Sequence, residues 1–184
     1  MQIDLWPHPA ACSIAPLAVS AGCERLSATV LRFRYQVRGD IDALVVPPQS
    51  PPIRADNLWR TTCFEAFLAP VQGSAYVELN FSPSSQWAAY DFTAYRHGMG
   101  QAATPAPPDI EVDRHADRLE LIATASLDAA ARSCRLGLCA VIEEHGGRLS
   151  YWADSHQGDR PDFHRRDCFA LELPAAEPDP SPRT

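Results

Sequence analysis

Short segments in which apolar and polar residues alternate constrain the fold of this chain more than any other feature. Connectors rich in proline and glycine separate them. In residues 31–37, apolar side chains alternate with Arg and Gln, which is the two-residue period of a half-buried strand. The 17 prolines, several of them in residues 47–57 and 103–109, interrupt the chain too often for long helices. Further strands are predicted at residues 62–69, 75–82, 86–95, 119–125, 136–143, 149–153 and 168–173.

The spacing of these segments predicts an all-β fold, an antiparallel two-sheet β-sandwich of jelly-roll type with at most short helices. The helices are expected at residues 16–21 and 127–132, and the His-Gly-Gly of residues 145–147 predicts a hairpin turn. A length of 184 residues is typical of one domain. We therefore assign residues 1–173 to a single β-sandwich domain and predict that the Pro-rich tail, residues 174–184, is disordered.

The charge of the chain argues against two classes of partner. The formal net charge is -7, and the basic residues are all arginines, scattered along the sequence. Proteins that bind nucleic acid or an anionic membrane carry a basic patch, so neither partner is expected. The N-terminal residues lack the regions of a signal peptide, and no apolar run is long enough to span a bilayer, so we expect a cytoplasmic location.

The cysteines predict neither a disulfide framework nor a metal site. In the cytoplasm the six cysteines would be reduced, and no Cys-x-x-Cys pair occurs among them. Cys63, Cys139 and Cys168 lie in apolar, strand-like segments, so we expect them to be small buried hydrophobic residues.

Polar side chains interrupt two of the predicted strands. Glu65 lies in the otherwise apolar segment of residues 62–69, and burying a charge without a partner is costly. Glu65 is therefore expected either to form an ion pair, with Arg96 or Arg60, or to face a cleft that binds something polar. In residues 76–82, Glu78 and Asn80 fall on the strand face opposite to the apolar residues.

Aromatic residues near these strands suggest the kind of ligand. Sugars are bound by flat rings that stack on their C–H faces and by planar polar side chains that hydrogen-bond their hydroxyls. An aromatic and carboxylate surface on a β-sandwich is therefore a candidate small-ligand site. The predicted contacts are Glu65, Glu78 and Asn80 as hydrogen-bond partners, Trp87 and Trp152 as stacking surfaces, and Arg96 as a positioning charge.

Three segments taken together resemble a known family. In this order, TTCFEAFL, YVELNFSPSSQWAAYDFTAYRHGM and YWADSHQGDRPDFHRRDCFALEL resemble the DOMON-like bacterial domains, which are similar in fold to family 9 carbohydrate-binding modules. The resemblance runs from about Leu58 to Leu173 and implies a β-sandwich of jelly-roll type. Relatives in this wider group bind sugars or haem at one face or one end of the sandwich.

The resemblance also implies roles for single residues. Glu65, Glu78 and Asn80 match the polar positions of the family's two central strands. Arg96 matches the arginine of a Tyr-Arg element, and His164 matches the histidine of Pro-Asp-Phe-His, where a role in a turn is the alternative.

The ligand of such a domain is left open by the resemblance. In the sugar-binding modules two tryptophans enclose the sugar, and Trp59, Trp87 and Trp152 are all candidates here. In the haem-binding relatives a Met and a His hold the iron, and Met99 in the His-Gly-Met-Gly loop is the candidate methionine.

These features favour non-catalytic binding of a small ligand, a carbohydrate or a sugar-containing metabolite, with no cofactor. Haem binding is one alternative, and a protein partner on the polar face is another. A third is glycoside hydrolysis with Glu65 and Glu78 as the carboxyl pair. The sequence lacks G-x-S-x-G, H-E-x-x-H and G-x-x-x-x-G-K-[ST] motifs, so an enzyme is the less expected reading.

Overall fold

The computed structural model describes residues 1–176, and the strands in these residues form one antiparallel sheet of twelve strands. They are β1 (Gln2–Pro7), β2 (Ala18–Arg25), β3 (Val30–Arg38), β4 (Cys63–Pro70), β5 (Tyr76–Phe81), β6 (Trp87–Phe92), β7 (Gly100–Gln101), β8 (Asp109–Arg114), β9 (Arg118–Ser126), β10 (Cys134–Glu144), β11 (Arg148–Ala153) and β12 (Leu171–Leu173). Their order is β7-β6-β5-β4-β10-β11-β1-β2-β3-β9-β8, and β12 pairs separately with β10. The connections include 3-10 helices at Ile41–Ala43, Leu58–Arg60, Asp128–Ala131 and Arg166–Cys168.

The sheet is continuous because β1 pairs on both sides. Its Trp6 and Pro7 pair with β11, whereas residues 2–5 pair with β2. The predicted all-β, antiparallel class is confirmed, but the prediction of two separate sheets is corrected to one curled sheet, since β1 joins the two halves through its hydrogen bonds. The tail of residues 174–184 is predicted to be disordered. From residue 177 onward it lies outside the described residues.

The curl brings β3 across the main core from β4 and β5. The ring of Tyr35 stacks on Phe64 with centroids 5.0 Å apart, and Phe33 lies 5.5 Å from Phe81. The Tyr35 hydroxyl donates a 2.8 Å hydrogen bond to the Glu65 carbonyl, which satisfies the one polar group of this buried ring. Each of these side chains is fully buried and contributes about 1.5–3 kcal/mol relative to exposure.

Strand β4 is apolar on both faces because the sheet is covered on both sides there. Phe64, Ala66 and Leu68 pack into the main core, whereas Cys63 and Phe67 belong to a second apolar cluster on the opposite face. This second cluster comprises Leu58, Cys63, Phe67, Ala69, Tyr76, Ala88, Tyr90, Phe92, Cys139, Val141, Ala153, Phe163 and Phe169. The irregular segment of residues 154–165, called the cover segment below, lies over this face and contributes Phe163 to the cluster.

Most of the predicted elements are present near the expected bounds. The alternating segment of residues 31–37 is β3, and the His-Gly-Gly turn joins β10 to β11. In that turn the Gly147 N–H donates to the Glu144 carbonyl, and Gly147 has a φ of 82°, a conformation that favours glycine. The expected helix at residues 127–132 is the 3-10 helix Asp128–Ala131.

The N-terminal part differs from the prediction. The prediction of a helix at residues 16–21 is wrong, because residues 18–25 form β2 between β1 and β3. The small residues of β2, which resemble a helical segment, allow close approach of β1: a Cβ on Gly22 would lie 2.7 Å from the Met1 carbonyl oxygen. Strands β1, β7 and β8 were not predicted either.

All six cysteines are free thiols, and Cys63, Cys139 and Cys168 are buried as expected. Within residues 1–176, no helix combines the length and the apolar character needed to cross a membrane.

Candidate ligand-binding site

The β4–β5 hairpin brings the three polar strand residues to one face of the sheet. Asn80 lies opposite Glu65 in the register, and Glu78 lies opposite Phe67. Because side chains alternate along a strand, Glu65, Glu78 and Asn80 all point to the face of the second apolar cluster. Their common face was deducible from the alternation, whereas the register that brings them together was not.

A cavity of about 800 Å³ opens on this face. Strands β4, β5, β6, β10 and β11 form its floor, and residues 56–59, residues 96–99 and the cover segment form its walls. The residues that line it are Ala11, Asp56, Asn57, Trp59, Glu65, Glu78, Tyr90, Phe92, Arg96, Met99, Val141, Tyr151, Arg160, Pro161, Asp162, Phe163 and His164.

Glu65 contributes a carboxyl group without a protein partner. Its side chain faces the cavity and is only 4% exposed, yet within residues 1–176 it accepts no hydrogen bond and forms no ion pair. Burial raises the pKa of Glu65 well above its usual value, the nearby Glu78 raises it further, and Arg96 acts in the opposite direction. The raised pKa favours the neutral carboxylic acid form of Glu65, which can both donate and accept a hydrogen bond.

Glu78 differs from Glu65 because it has partners. Its Oε1 accepts a 2.7 Å hydrogen bond from the Asn80 amide, whose own oxygen lies 3.7 Å from the thiol of Cys63. Burial raises the pKa of Glu78, and the Asn80 hydrogen bond and Arg96 oppose that rise. Of the two carboxyl groups, Glu78 is thus the one whose ionised form is supported by a hydrogen bond.

His164 forms one wall of the site as a neutral ring. Its Nδ1 lies 2.7 Å from the Tyr76 hydroxyl, and that hydroxyl accepts a hydrogen bond from the Arg96 N–H at 3.1 Å. We therefore assign the hydroxyl proton to the bond with Nδ1, which leaves the Nε2 proton directed at Glu78, 3.7 Å away. Burial, reinforced by Arg96 and opposed by Asp162, lowers the pKa of His164 to about 4.

Arg96 and Arg60, the expected ion-pair partners of Glu65, make other contacts instead. The guanidinium of Arg96 binds Asp162 at 2.8 Å, and that of Arg60 lies over the ring of Trp59, 5.3 Å from its centroid. Arg96 has a φ of 50°, a left-handed conformation that directs its side chain from the turn after β6 toward the cover segment. Burial would raise the pKa of Asp162, but hydrogen bonds from Tyr95 and Arg96 outweigh it and lower the pKa.

Trp87 and Trp152 do not line the cavity. They are 5% and 4% exposed and belong to the main core on the other face of the sheet. The reason is strand alternation: Trp87 lies opposite Phe81, and Trp152 lies opposite Ala140, both of which point into that core. The stacking role expected for these two residues does not fit their position.

Other aromatic rings line the cavity instead. Trp59, one of the three candidate tryptophans, is 45% exposed at its mouth. Tyr151 reaches the cavity because it precedes Trp152 by one position in β11, and sequence alternation could have revealed this. The other rings are Tyr90, whose hydroxyl donates to Asp56 at 2.6 Å, Phe92 and Phe163. Phe163 lies in the cover segment, which has no periodic pattern that sequence reasoning could use.

Within the described part of the chain, the donor groups of the site do not form a cluster that could hold a metal ion. Within residues 1–176, no group of three or more His, Cys, Asp or Glu side chains could hold a metal ion. Met99 and His164 both line the cavity, but His164 bonds Tyr76 through Nδ1 and faces Glu78 through Nε2. The Nδ1 of His164 is thus occupied by its hydrogen bond with Tyr76, whereas Nε2 makes no hydrogen bond within residues 1–176.

Two solved structures are similar to this chain in fold, whereas no family model and no curated protein sequence matches it. One, from Bacteroides uniformis and described provisionally as a carbohydrate-binding protein, gives a TM-score of 0.63 at 13% identity, over 90% of this chain and 84% of that chain. The other, a family 9 carbohydrate-binding module from Caldicellulosiruptor kristjanssonii in complex with glucose, gives a TM-score of 0.54 at 9% identity, over 96% and 85%.

At these identities the similarity concerns the fold alone. The chain has an all-β, antiparallel fold similar to that of family 9 carbohydrate-binding modules, which confirms this part of the sequence resemblance. The assignment to the DOMON-like domains stays a prediction.

Proposed function

We propose that this protein is a non-catalytic binding domain whose cavity on β4, β5, β6, β10 and β11 holds a carbohydrate or a sugar-containing metabolite. One observation carries the proposal: the carboxyl group of Glu65 is buried, unpartnered within residues 1–176, and directed into an aromatic-lined cavity. A buried polar group is normally hydrogen-bonded, and a ligand hydroxyl is the partner that this one lacks.

The size and lining of the cavity support a ligand of sugar size. A volume of about 800 Å³ falls within the range of small-molecule sites. The floor combines a neutral acid, Glu65, with the free Oε2 of Glu78, so it can donate to one hydroxyl and accept from another. At the mouth, Trp59 and Tyr151 offer ring surfaces for the C–H face of a sugar.

The structural neighbours supply the first probe. One of them was solved with glucose bound and the other is described provisionally as a carbohydrate-binding protein, so glucose and its disaccharides head the list of ligands to test. Arg160 lines the cavity and donates no hydrogen bond within residues 1–176, so it is available for a further hydroxyl or an acidic substituent.

The proposal is tested by a thermal-shift screen of the purified protein against neutral monosaccharides and disaccharides. A ligand that binds the native state raises the unfolding midpoint once its concentration exceeds its dissociation constant. Trp59→Ala should abolish the shift, because it removes the ring at the cavity mouth. Trp6→Ala is the matched control, since Trp6 is 64% exposed and does not line the cavity. No shift with any sugar, or equal shifts in the two variants, would contradict the proposal.

A further inference from the structure

Carboxyl groups outnumber guanidinium groups in the lining of the cavity. Asp56, Glu65, Glu78 and Asp162 face only two arginines, Arg96 and Arg160. The two carboxylates nearer the mouth are already engaged, Asp162 with Arg96 and Tyr95, and Asp56 with Tyr90. The two on the floor, Glu65 and Glu78, have no guanidinium or ammonium group of residues 1–176 within ion-pair distance, and the imidazole of His164 is neutral.

The floor pair therefore lacks a cation. Glu65 is nine-tenths buried, points into the cavity and has no hydrogen-bond donor, while Glu78 keeps Oε2 without a close donor, since His164 Nε2 is 3.7 Å away. The nearby Glu78 raises the pKa of Glu65, so ionisation of both carboxyl groups at once is disfavoured. A neutral ligand leaves the doubly ionised state disfavoured, whereas a positive ligand group stabilises it.

The walls of the cavity also favour a cation. Its aromatic rings are those of Trp59, Tyr90, Phe92, Tyr151 and Phe163. The face of an aromatic ring attracts an ammonium group, and the attraction strengthens where water is excluded. A buried carboxyl pair surrounded by aromatic rings has the composition of a site for an organic ammonium group.

We propose that the cavity selects ligands that carry an ammonium group, amino sugars in the first instance, and that Glu65 and Glu78 hold this group together. The proposal rests on the function proposed above and names the ligand class of the same site. The step is a balanced proton exchange. The neutral Glu65 acid gives its proton to the buffer, its carboxylate pairs with the ammonium, and the ammonium keeps its own protons.

The pH dependence follows from the groups that face Glu65. On the strands these are Cys63, Tyr76, Glu78, Tyr90, Cys139 and Tyr151, with Tyr35 behind the sheet at the Glu65 backbone carbonyl. On the walls they are Asp56, Arg96, Arg160, Asp162 and His164. Burial holds the tyrosines Tyr35, Tyr76 and Tyr90 and both thiols in their neutral forms, and His164 is neutral above about pH 5 because its pKa is about 4. Ionisation of the Glu65–Glu78 pair, whose pKa values are both raised, is then the titration expected to affect binding as pH rises above the usual carboxyl range.

Calorimetric titration at about pH 6.5, where sugar ammonium groups are protonated, tests the proposal with four probes. They are glucose and its 2-amino, 3-amino and 6-amino deoxy derivatives, each titrated in two buffers that differ in ionisation enthalpy. At least one amino sugar should bind about tenfold or more tightly than glucose. Its binding should release protons, and its affinity should rise with pH from about 5 to 6.5, while that of glucose stays constant.

Two Glu→Gln variants test whether Glu65 is responsible for the preference for an ammonium group. Glu65→Gln should reduce the affinity of the preferred amino sugar to that of glucose and abolish the proton release. Glu111→Gln is the matched control, because Glu111 is exposed on β8 and does not line the cavity, and it should change neither quantity. A thermal melt of both variants establishes that they are folded.

The possible outcomes distinguish failure of the ammonium proposal from failure of the proposed sugar-binding function. If glucose binds and all three amino sugars bind equally or more weakly, the ammonium proposal is overturned and the sugar-binding function stands. Tighter binding of an amino sugar that persists in Glu65→Gln also overturns it, since the ammonium group is then not held by Glu65. If none of the four sugars binds, the preference for amino sugars is overturned, and the wider thermal-shift screen decides the sugar-binding function.

Discussion

The guanidinium of Arg96 binds the carboxylate of Asp162 at 2.8 Å, and this ion pair joins the turn after β6 to the cover segment of residues 154–165. Asp162 also accepts hydrogen bonds from the Tyr95 hydroxyl and from the backbone N–H of His164. One carboxylate thus holds together the two walls on either side of the cavity mouth.

Arg96→Ala should loosen the cover segment with little effect on global stability. Half-exposed ion pairs contribute less than about 1 kcal/mol, so the free energy of unfolding should change by no more than that. Local opening should rise about two- to fivefold, measured as faster trypsin cleavage at Arg165 or Arg166 under native conditions. Arg114→Ala breaks a similar 2.8 Å pair with Asp42, remote from the cavity, and serves as the control. Equal cleavage rates in the two variants would contradict the role assigned to Arg96.

His164→Gln should change how stability depends on pH. The pKa of His164 is about 4 in the folded state and near 6.5 in the unfolded state. The neutral imidazole therefore contributes fully to stability above about pH 6.5, and this contribution is lost as the pH falls toward 4. The stability of the wild type relative to the variant should therefore fall by up to about 3 kcal/mol between pH 7 and pH 4. Urea denaturation at several pH values measures the difference, and a difference that does not vary with pH would exclude a buried neutral imidazole.

Glu65→Gln should have the opposite pH dependence. The folded-state pKa of Glu65 is raised, so the folded state keeps its proton longer than the unfolded state does as pH rises above about 4.5. The wild type should therefore lose stability relative to Glu65→Gln as pH rises, and the amide should be tolerated because it resembles the neutral acid in shape. Denaturation at about pH 5 and pH 8 tests this, and a relative gain in wild-type stability at the higher pH would show that Glu65 is ionised and paired.

Two tryptophan variants should separate binding from folding. Trp87→Ala removes a nearly fully buried ring from the main core and should cost about 3–5 kcal/mol of stability. Trp59→Ala removes a half-exposed ring and should cost less than about 1 kcal/mol, but it should weaken ligand binding. Thermal melts and titrations with the same sugar measure both quantities. If Trp59→Ala binds as the wild type does, the ring at the mouth is not a contact.

The sequence contains the local signals of this site but not its assembly. Alternation in β5 places Glu78 and Asn80 on one face, and the short connector after β4 indicates the hairpin that aligns them with Glu65. The same alternation would have assigned Trp152 to the core face once its neighbour Tyr151 was placed on the other. Aromatic character alone does not distinguish a core ring from a cavity ring.

The remaining features depend on contacts between distant parts of the chain. The cover segment has no period, and it is positioned by the N-terminal residues: His156 contacts the Trp6 carbonyl at 2.7 Å, and His8 contacts the Gly158 carbonyl at 3.3 Å. Strand β2 consists largely of small residues, and its conformation is set by pairing with β1 and β3. Pairing of this kind cannot be deduced from local propensity.

A crystal structure of the protein with its tightest-binding sugar would show whether the cavity is the binding site. We expect a sugar in the cavity of about 800 Å³, with a hydroxyl or ammonium group within hydrogen-bond distance of the Glu65 carboxyl and the ring near Trp59. A sugar bound elsewhere would contradict this expectation, for example in the groove of about 350 Å³ on the outer face of β1, β2 and β3, lined by Ser20, Arg32 and Gln36 among others.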